Sequence, residues 1–174
     1  MKKIFFLTII IISLILQVSC SFFTSEEKKV EKSYNEFLSA VSNRNYSEVW
    51  NLIAYGTQKQ YEDFIYKPFI DNLKKIPKNK KQIKFPNTNM TIEDMEKMTA
   101  KDFFIFQFEH TELRDELLKS LIPERKIEKI TIDGDTAILQ MEKSKDETIS
   151  DKITLKLEDN RWRVVLMPPG EVKF

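Results

Sequence analysis

Cys20 is the only cysteine in the chain and His110 the only histidine, so thiol and imidazole chemistry each have a single seat. A lone thiol in an exported chain has no disulfide partner and serves either as a nucleophile or as an attachment point. His110 stands in Glu109-His110-Thr111-Glu112, a polar stretch between two apolar-periodic segments, where the spacing favours a solvated or capping role over general acid–base work. No Ser-His-Asp set, no paired catalytic carboxylates and no phosphate-cradling glycine loop is recognisable, and Gly56, Gly134 and Gly170 are isolated. Carboxylates alone remain for a metal. Pairs such as Glu93-Asp94 lack the Asp-rich, glycine-bearing spacing of a calcium loop. The residues therefore predict no enzyme, no cofactor and no metal site, and Met90, Met95 and Met98 read as fillers of core gaps.

The elements around Cys20 say more. Met1-Lys2-Lys3 precedes an apolar run from Ile4 to Leu16, and the segment closes on Gln17-Val18-Ser19-Cys20. Lysines hold such a segment's start on the cytoplasmic side while the apolar run enters the translocon. Ile4 to Val18 makes about 22 Å of helix, short of a hydrocarbon core of about 30 Å, which argues against a stable span. The pattern resembles the signal of a bacterial lipoprotein, with Gln17 standing where that family usually places Leu. The resemblance implies cleavage between Ser19 and Cys20, a diacylglycerol on the Cys20 thiol and further acylation such as palmitate at the new N-terminus. An ordinary cleaved signal and an uncleaved anchor are the alternatives; the former leaves an unpaired thiol in an oxidising compartment.

These segments divide the chain into a signal over 1–19, a short tether over 20–25 and one α+β domain over 26–174. Past the signal the formal charges nearly cancel, so no global field draws nucleic acid. Residues 20–174 suffice for a single core, and thirteen Phe, five Tyr and two Trp supply it. The four residues Ser21 to Thr24 reach at most about 14 Å, which keeps the domain near the membrane.

Along the domain, Val30, Tyr34, Phe37, Leu38 and Val41 recur at helical spacing. Asn43-Arg44-Asn45 breaks that helix, and Val49, Trp50, Leu52 and Ile53 suggest a second, short one. Thr57 is placed to cap a third helix carrying Tyr61, Phe64, Ile65, Phe69 and Leu73, with Pro68 starting a new segment or kinking it. Residues 74–90 read as the least ordered part: six lysines, Pro77 and Pro86, and not one acidic residue. This stretch is either a solvated loop or a patch for anionic headgroups. Thr91 opens a further helical stretch through Met95 and Met98, and Thr99-Ala100-Lys101-Asp102 has capping-box-like spacing for the next helix start. Phe104, Phe106 and Phe108 alternate like a strand, yet the cap before them and Leu113, Leu117, Leu118 and Leu121 after them favour a helix ended by Pro123.

The period then changes to two. Ile130 and Ile132, Asp133-Gly134-Asp135, and Ala137, Leu139 and Met141 predict a hairpin; Ile153, Leu155 and Leu157, Glu158-Asp159-Asn160, and Trp162 and Val164 predict a second. The fold class is thus α+β, N-terminal helices packed on a C-terminal antiparallel meander. Helices first, a short Trp-bearing helix over Asn45 to Ile53, and a last strand reading Asn160-Arg161-Trp162 resemble the nuclear-transport-factor-2-like, or cystatin-like, cone. That resemblance implies a cone-like domain, and some of its members are isomerases and lyases.

Two functions are expected from these features. One is a non-catalytic bacterial envelope lipoprotein, anchored to the cell membrane or outer membrane by its N-terminal lipid, whose domain binds a protein, a wall component or a small apolar ligand. The alternative is a cone-fold enzyme of isomerase or lyase type acting on a small apolar substrate.

Overall fold

Apolar positions spaced three and four apart put one stripe of the first helix, α1 (25–42), against the sheet: Val30, Tyr34, Phe37 and Val41 are all buried. The computed structural model describes residues 25–86, 88–110, 126–143 and 151–166. The signal with Ser19 and Cys20, the tether before residue 25, the expected helix through Leu113 to Pro123 and Pro168-Pro169-Gly170 lie outside the described residues. Helix α1 ends at a left-handed Arg44 (φ 56°), with the Asn45 amide donating back to the Ala40 carbonyl at 2.9 Å. Helix α2 (Tyr46–Leu52) follows at once, because the Asn45 side chain accepts the Glu48 amide and caps it.

Helix α3 (Tyr55–Tyr61) departs from expectation. It begins two residues before Thr57, which is not its cap. The chain leaves α2 by a short parallel bridge, Ile53 beside Val164, with the Ala54 amide donating to the Val164 carbonyl at 2.8 Å. That bridge sets the helix start, and Thr57 instead accepts from the Leu166 amide (3.2 Å) and donates to the Leu166 carbonyl (3.3 Å).

Helix α3 passes through one π-helical turn (Glu62–Tyr66) into α4 (Lys67–Lys74), where Pro68 occupies the first turn. A proline ring clashes with the carbonyl four residues back, and the wider turn opens just there, the Lys67 amide bonding the Glu62 carbonyl five residues away. The turn leaves Phe64 73% exposed. Both later caps are capping boxes. Thr91 and Asp94 open α5 (Ile92–Glu96), and Thr99 and Asp102 exchange the same reciprocal bonds at the start of α6 (Ala100–His110).

Helix α6 decides the architecture because it is apolar on two sides. Phe104 and Phe108 face the sheet side, 4.6 Å apart and close to Trp50 and Tyr46. Phe103 and Phe106 face a second core made with Ile70 and Leu73 of α4 and Met95 of α5, Phe103 stacking on Phe69 at 4.3 Å. A helix apolar all round is a helix between two cores. The strand-like alternation of these phenylalanines has no other meaning. Met95 is fully buried, and Met90 and Met98 pack against the same cluster, as expected of gap fillers.

The four strands β1 (Ile127–Asp133), β2 (Thr136–Met141), β3 (Lys152–Glu158) and β4 (Arg161–Val165) form an antiparallel meander in the order β1-β2-β3-β4. Gly134 (φ 57°) opens the first two-residue turn; Asp159 and Asn160, both left-handed, make the last. Register brings Ala137 opposite Leu155 and Leu155 opposite Val164, so one face is apolar and meets α1, α2 and Phe104. The other face carries Lys129, Gln140, Lys152, Lys156 and Arg163. The protein is thus α+β, helices followed by a four-stranded sheet.

Candidate interaction surface

Among the described residues, side chains take up the space between helices and sheet. Tyr34, Phe37, Phe104 and Trp162 belong to one buried cluster with Leu139 and Leu155, and Trp50 and Phe108 pack against it. An acid–base site of the cone type needs that space open, with a titratable group facing it. His110 is elsewhere. It stands exposed in the last described turn of α6, its ring stacked on Phe106 at 4.6 Å, and the residues that would follow it in the expected polar stretch lie outside the described residues. Its Nδ1 lies 3.1 Å from the Phe106 carbonyl, which makes Nδ1 the protonated nitrogen. Among the described residues no group of three His, Cys, Asp or Glu could hold a metal ion, and no helix is long and apolar enough to cross a membrane. A shallow depression on the outer face of α1, lined by Lys28, Glu31, Lys32 and Asn35, is open and charged.

A tight polar cluster does occur where the α2–α3 junction meets the β3–β4 turn. The Tyr55 amide donates to Glu158 at 2.8 Å and its hydroxyl to Asp159, while the Arg163 guanidinium lies 4.4 Å over the Tyr55 ring and donates to the Tyr55 oxygen at 3.0 Å. Arg163 also donates to the Asn51 carbonyl. The hydrogen bond to Asp159 holds the Tyr55 hydroxyl above its ordinary pKa, which favours the neutral phenol. Every member is engaged with another, so the cluster works as a clasp between helix and sheet. Arg161 adds a second tie, to Glu36 of α1 at 3.3 Å and Glu48 of α2 at 3.4 Å. Periodicity does not reveal either tie, since the alternation marks Arg161 and Arg163 only as outward-facing.

The lysine-rich stretch after α4 is more ordered than its composition suggests. A 3-10 turn (Lys78–Lys80) is followed by an antiparallel bridge between Lys84 and Thr91. Within it the Lys80 amide donates to the Pro77 carbonyl, the Ile83 amide to the Lys80 carbonyl, and the Ile92 and Glu93 amides back to the Ile83 and Lys81 carbonyls. Lys81 is drawn inward, donating to both oxygens of Glu96 at 2.6 and 2.8 Å, with the two side chains only 18% and 15% exposed. The other lysines point outward. Lys74 sits 3.7 Å from Asp71, whereas Lys75, Lys78, Lys80 and Lys84 meet no carboxylate among the described residues. Amid these cations Ile83 is 56% exposed.

The sequence expectations at Ser19 and Cys20 lie outside the described residues. No family model, curated protein or solved structure matches this chain.

Proposed function

We propose that this chain is a membrane-tethered bacterial envelope lipoprotein whose α+β domain is a non-catalytic interaction module. Cys20 is the acyl acceptor, and the short tether holds the domain against the leaflet. The observation that supports a binding role over the isomerase or lyase alternative is the filled interior: Tyr34, Phe37, Phe104 and Trp162 occupy the ground where a cone enzyme would seat its substrate, and His110 stands outside it. The finer cone-like shape is part of the same proposal. It is supported by the register shift between Ile127 and Lys129, which bends an edge strand, and by the Ile53–Val164 bridge, which wraps the helical half onto β4. The deciding experiment is the intact mass of protein extracted from membranes. A mass matching residues 20–174 plus a diacylglyceryl thioether and an amide-linked acyl chain is expected, with Cys20→Ala accumulating as full-length precursor. A free Cys20 thiol on membrane-extracted protein would remove the anchor from the proposal. Two or more chains anchor stably, at about 0.8 kcal/mol per buried CH2, where one does not.

A further inference from the structure

The loop after α4 combines three properties: cations that meet no carboxylate among the described residues, an exposed aliphatic side chain among them, and a hydrogen-bonded backbone. We propose that residues 75–84 form a membrane-docking tip, in which Ile83 enters the headgroup–acyl boundary of an anionic phospholipid leaflet while Lys75, Lys78, Lys80 and Lys84 face the lipid phosphates. This deepens the tether reading and rests on it. Ile83 is 56% exposed although both its backbone groups are hydrogen-bonded, its amide donating to the Lys80 carbonyl and its carbonyl accepting from the Ile92 amide. The side chain is therefore held outward by a closed loop, so docking orders little that is not already ordered. The Lys81–Glu96 pair fastens the loop's middle to α5 and removes that one lysine from the cationic set. Within residues 74–90 the remaining charge is all of one sign, and Glu93 of α5, which accepts from Gln82 at 2.7 Å, is paired with Lys97 at 3.0 Å.

Range decides where such a tip can act. Surface charges are screened beyond roughly 8 Å at physiological salt, so cations on a freely diffusing domain gain little from a leaflet. A tether of four residues, about 14 Å at most, keeps the nearest surface of the domain within about two such screening lengths of the leaflet. Each lysine near the surface then strengthens attachment about fivefold, and an aliphatic tip adds an apolar contact that salt does not screen. An acidic protein surface would satisfy the lysines equally well and could bury Ile83; the tether, which holds the domain beside a leaflet, is what makes lipid the favoured occupant.

The test uses the full chain carrying Ile83→Trp, reconstituted into vesicles that contain lipids brominated on their acyl chains. The unsubstituted chain supplies the background of Trp50 and Trp162. With phosphatidylglycerol present, the added indole emission should shift to the blue and be quenched by bromine; in pure phosphatidylcholine vesicles, or with Lys78→Glu and Lys80→Glu added, quenching should fall at least fivefold. Flotation of the same vesicles reports the tether separately. A chain that floats while the indole at position 83 stays unquenched in anionic vesicles overturns the docking tip and leaves the tether standing. A chain that does not float with either vesicle overturns both. Quenching equal in anionic and neutral vesicles overturns the role given to the lysines.

Discussion

Lys81 donates to both carboxylate oxygens of Glu96, at 2.6 and 2.8 Å, and this pair is what turns a lysine-rich segment into a defined loop. The two residues are fifteen apart and join the loop's middle to the end of α5. Because both side chains are largely withdrawn from water, removing one leaves the other desolvated and unpaired.

Glu96→Ala should therefore cost about 2 kcal/mol of stability, more than a surface ion pair and less than a fully buried one. Urea unfolding measures the loss. Hydrogen exchange adds a local readout: the Ile92 and Glu93 amides, which bond to Ile83 and Lys81, should exchange faster while amides of β2 and β3 do not change in rank. Unaltered protection at Ile92 would mean that the loop holds its shape without the pair.

Trp162 is 3% exposed and lies in the cluster that joins β4 to α1 and α2. Truncation to Ala should cost about 3–5 kcal/mol, a large share of the total stability of a domain this size. The variant should melt far below the parent or fail to fold. Identical melting curves would place the indole at the surface and reverse the facing of β4.

Arg163 offers a sharper test of the helix–sheet clasp, since Lys keeps the charge and loses the fork. Its guanidinium serves the Asn51 carbonyl and the Tyr55 hydroxyl and lies over the Tyr55 ring, three tasks a single ammonium cannot share. Arg163→Lys should destabilise by about 1–3 kcal/mol in denaturant titrations. Full stability in the Lys variant would reduce the clasp to the charge contact with Glu158, whose carboxylate lies 3.7 Å from Arg163 Nε.

The two capping boxes predict the acid limb of stability. Hydrogen bonds from Thr91 to Asp94 and from Thr99 to Asp102 hold both carboxyls below their ordinary pKa. A carboxyl whose pKa is lower folded than unfolded contributes fully above the unfolded value, near 3.9, and loses that contribution as pH falls through the folded value. The urea midpoint should accordingly drop as pH falls below about 4. Asp102→Asn should lower the midpoint at neutral pH and flatten this decline, and Thr99→Ala should cost about 1 kcal/mol. A parent and an Asp102→Asn variant with parallel acid limbs would assign the pH dependence to other groups.

What the sequence by itself determined are the features that depend on near neighbours. The alternation of Ala137, Leu139 and Met141, the two left-handed residues at Asp159-Asn160 and the Thr-to-Asp caps at 91 and 99 act within three or four residues, so their outcome is written locally. The helical stripe of α1 is legible for the same reason. Tertiary structure decided the rest, through groups far apart in the chain. Thr57 has the composition of a cap, but β4 sets the start of α3 through the Ala54–Val164 bond and draws the Thr57 hydroxyl to Leu166, 109 residues away. Phe103 to Phe108 fit both periods because both sides of α6 are covered, and only the presence of two cores says so. The order of the lysine loop comes from bonds to Ile92, Glu93 and Glu96, and the outward position of Ile83 from that closure. Composition carries no trace of either, because a lysine fixed by a buried carboxylate and a lysine in water are the same letter.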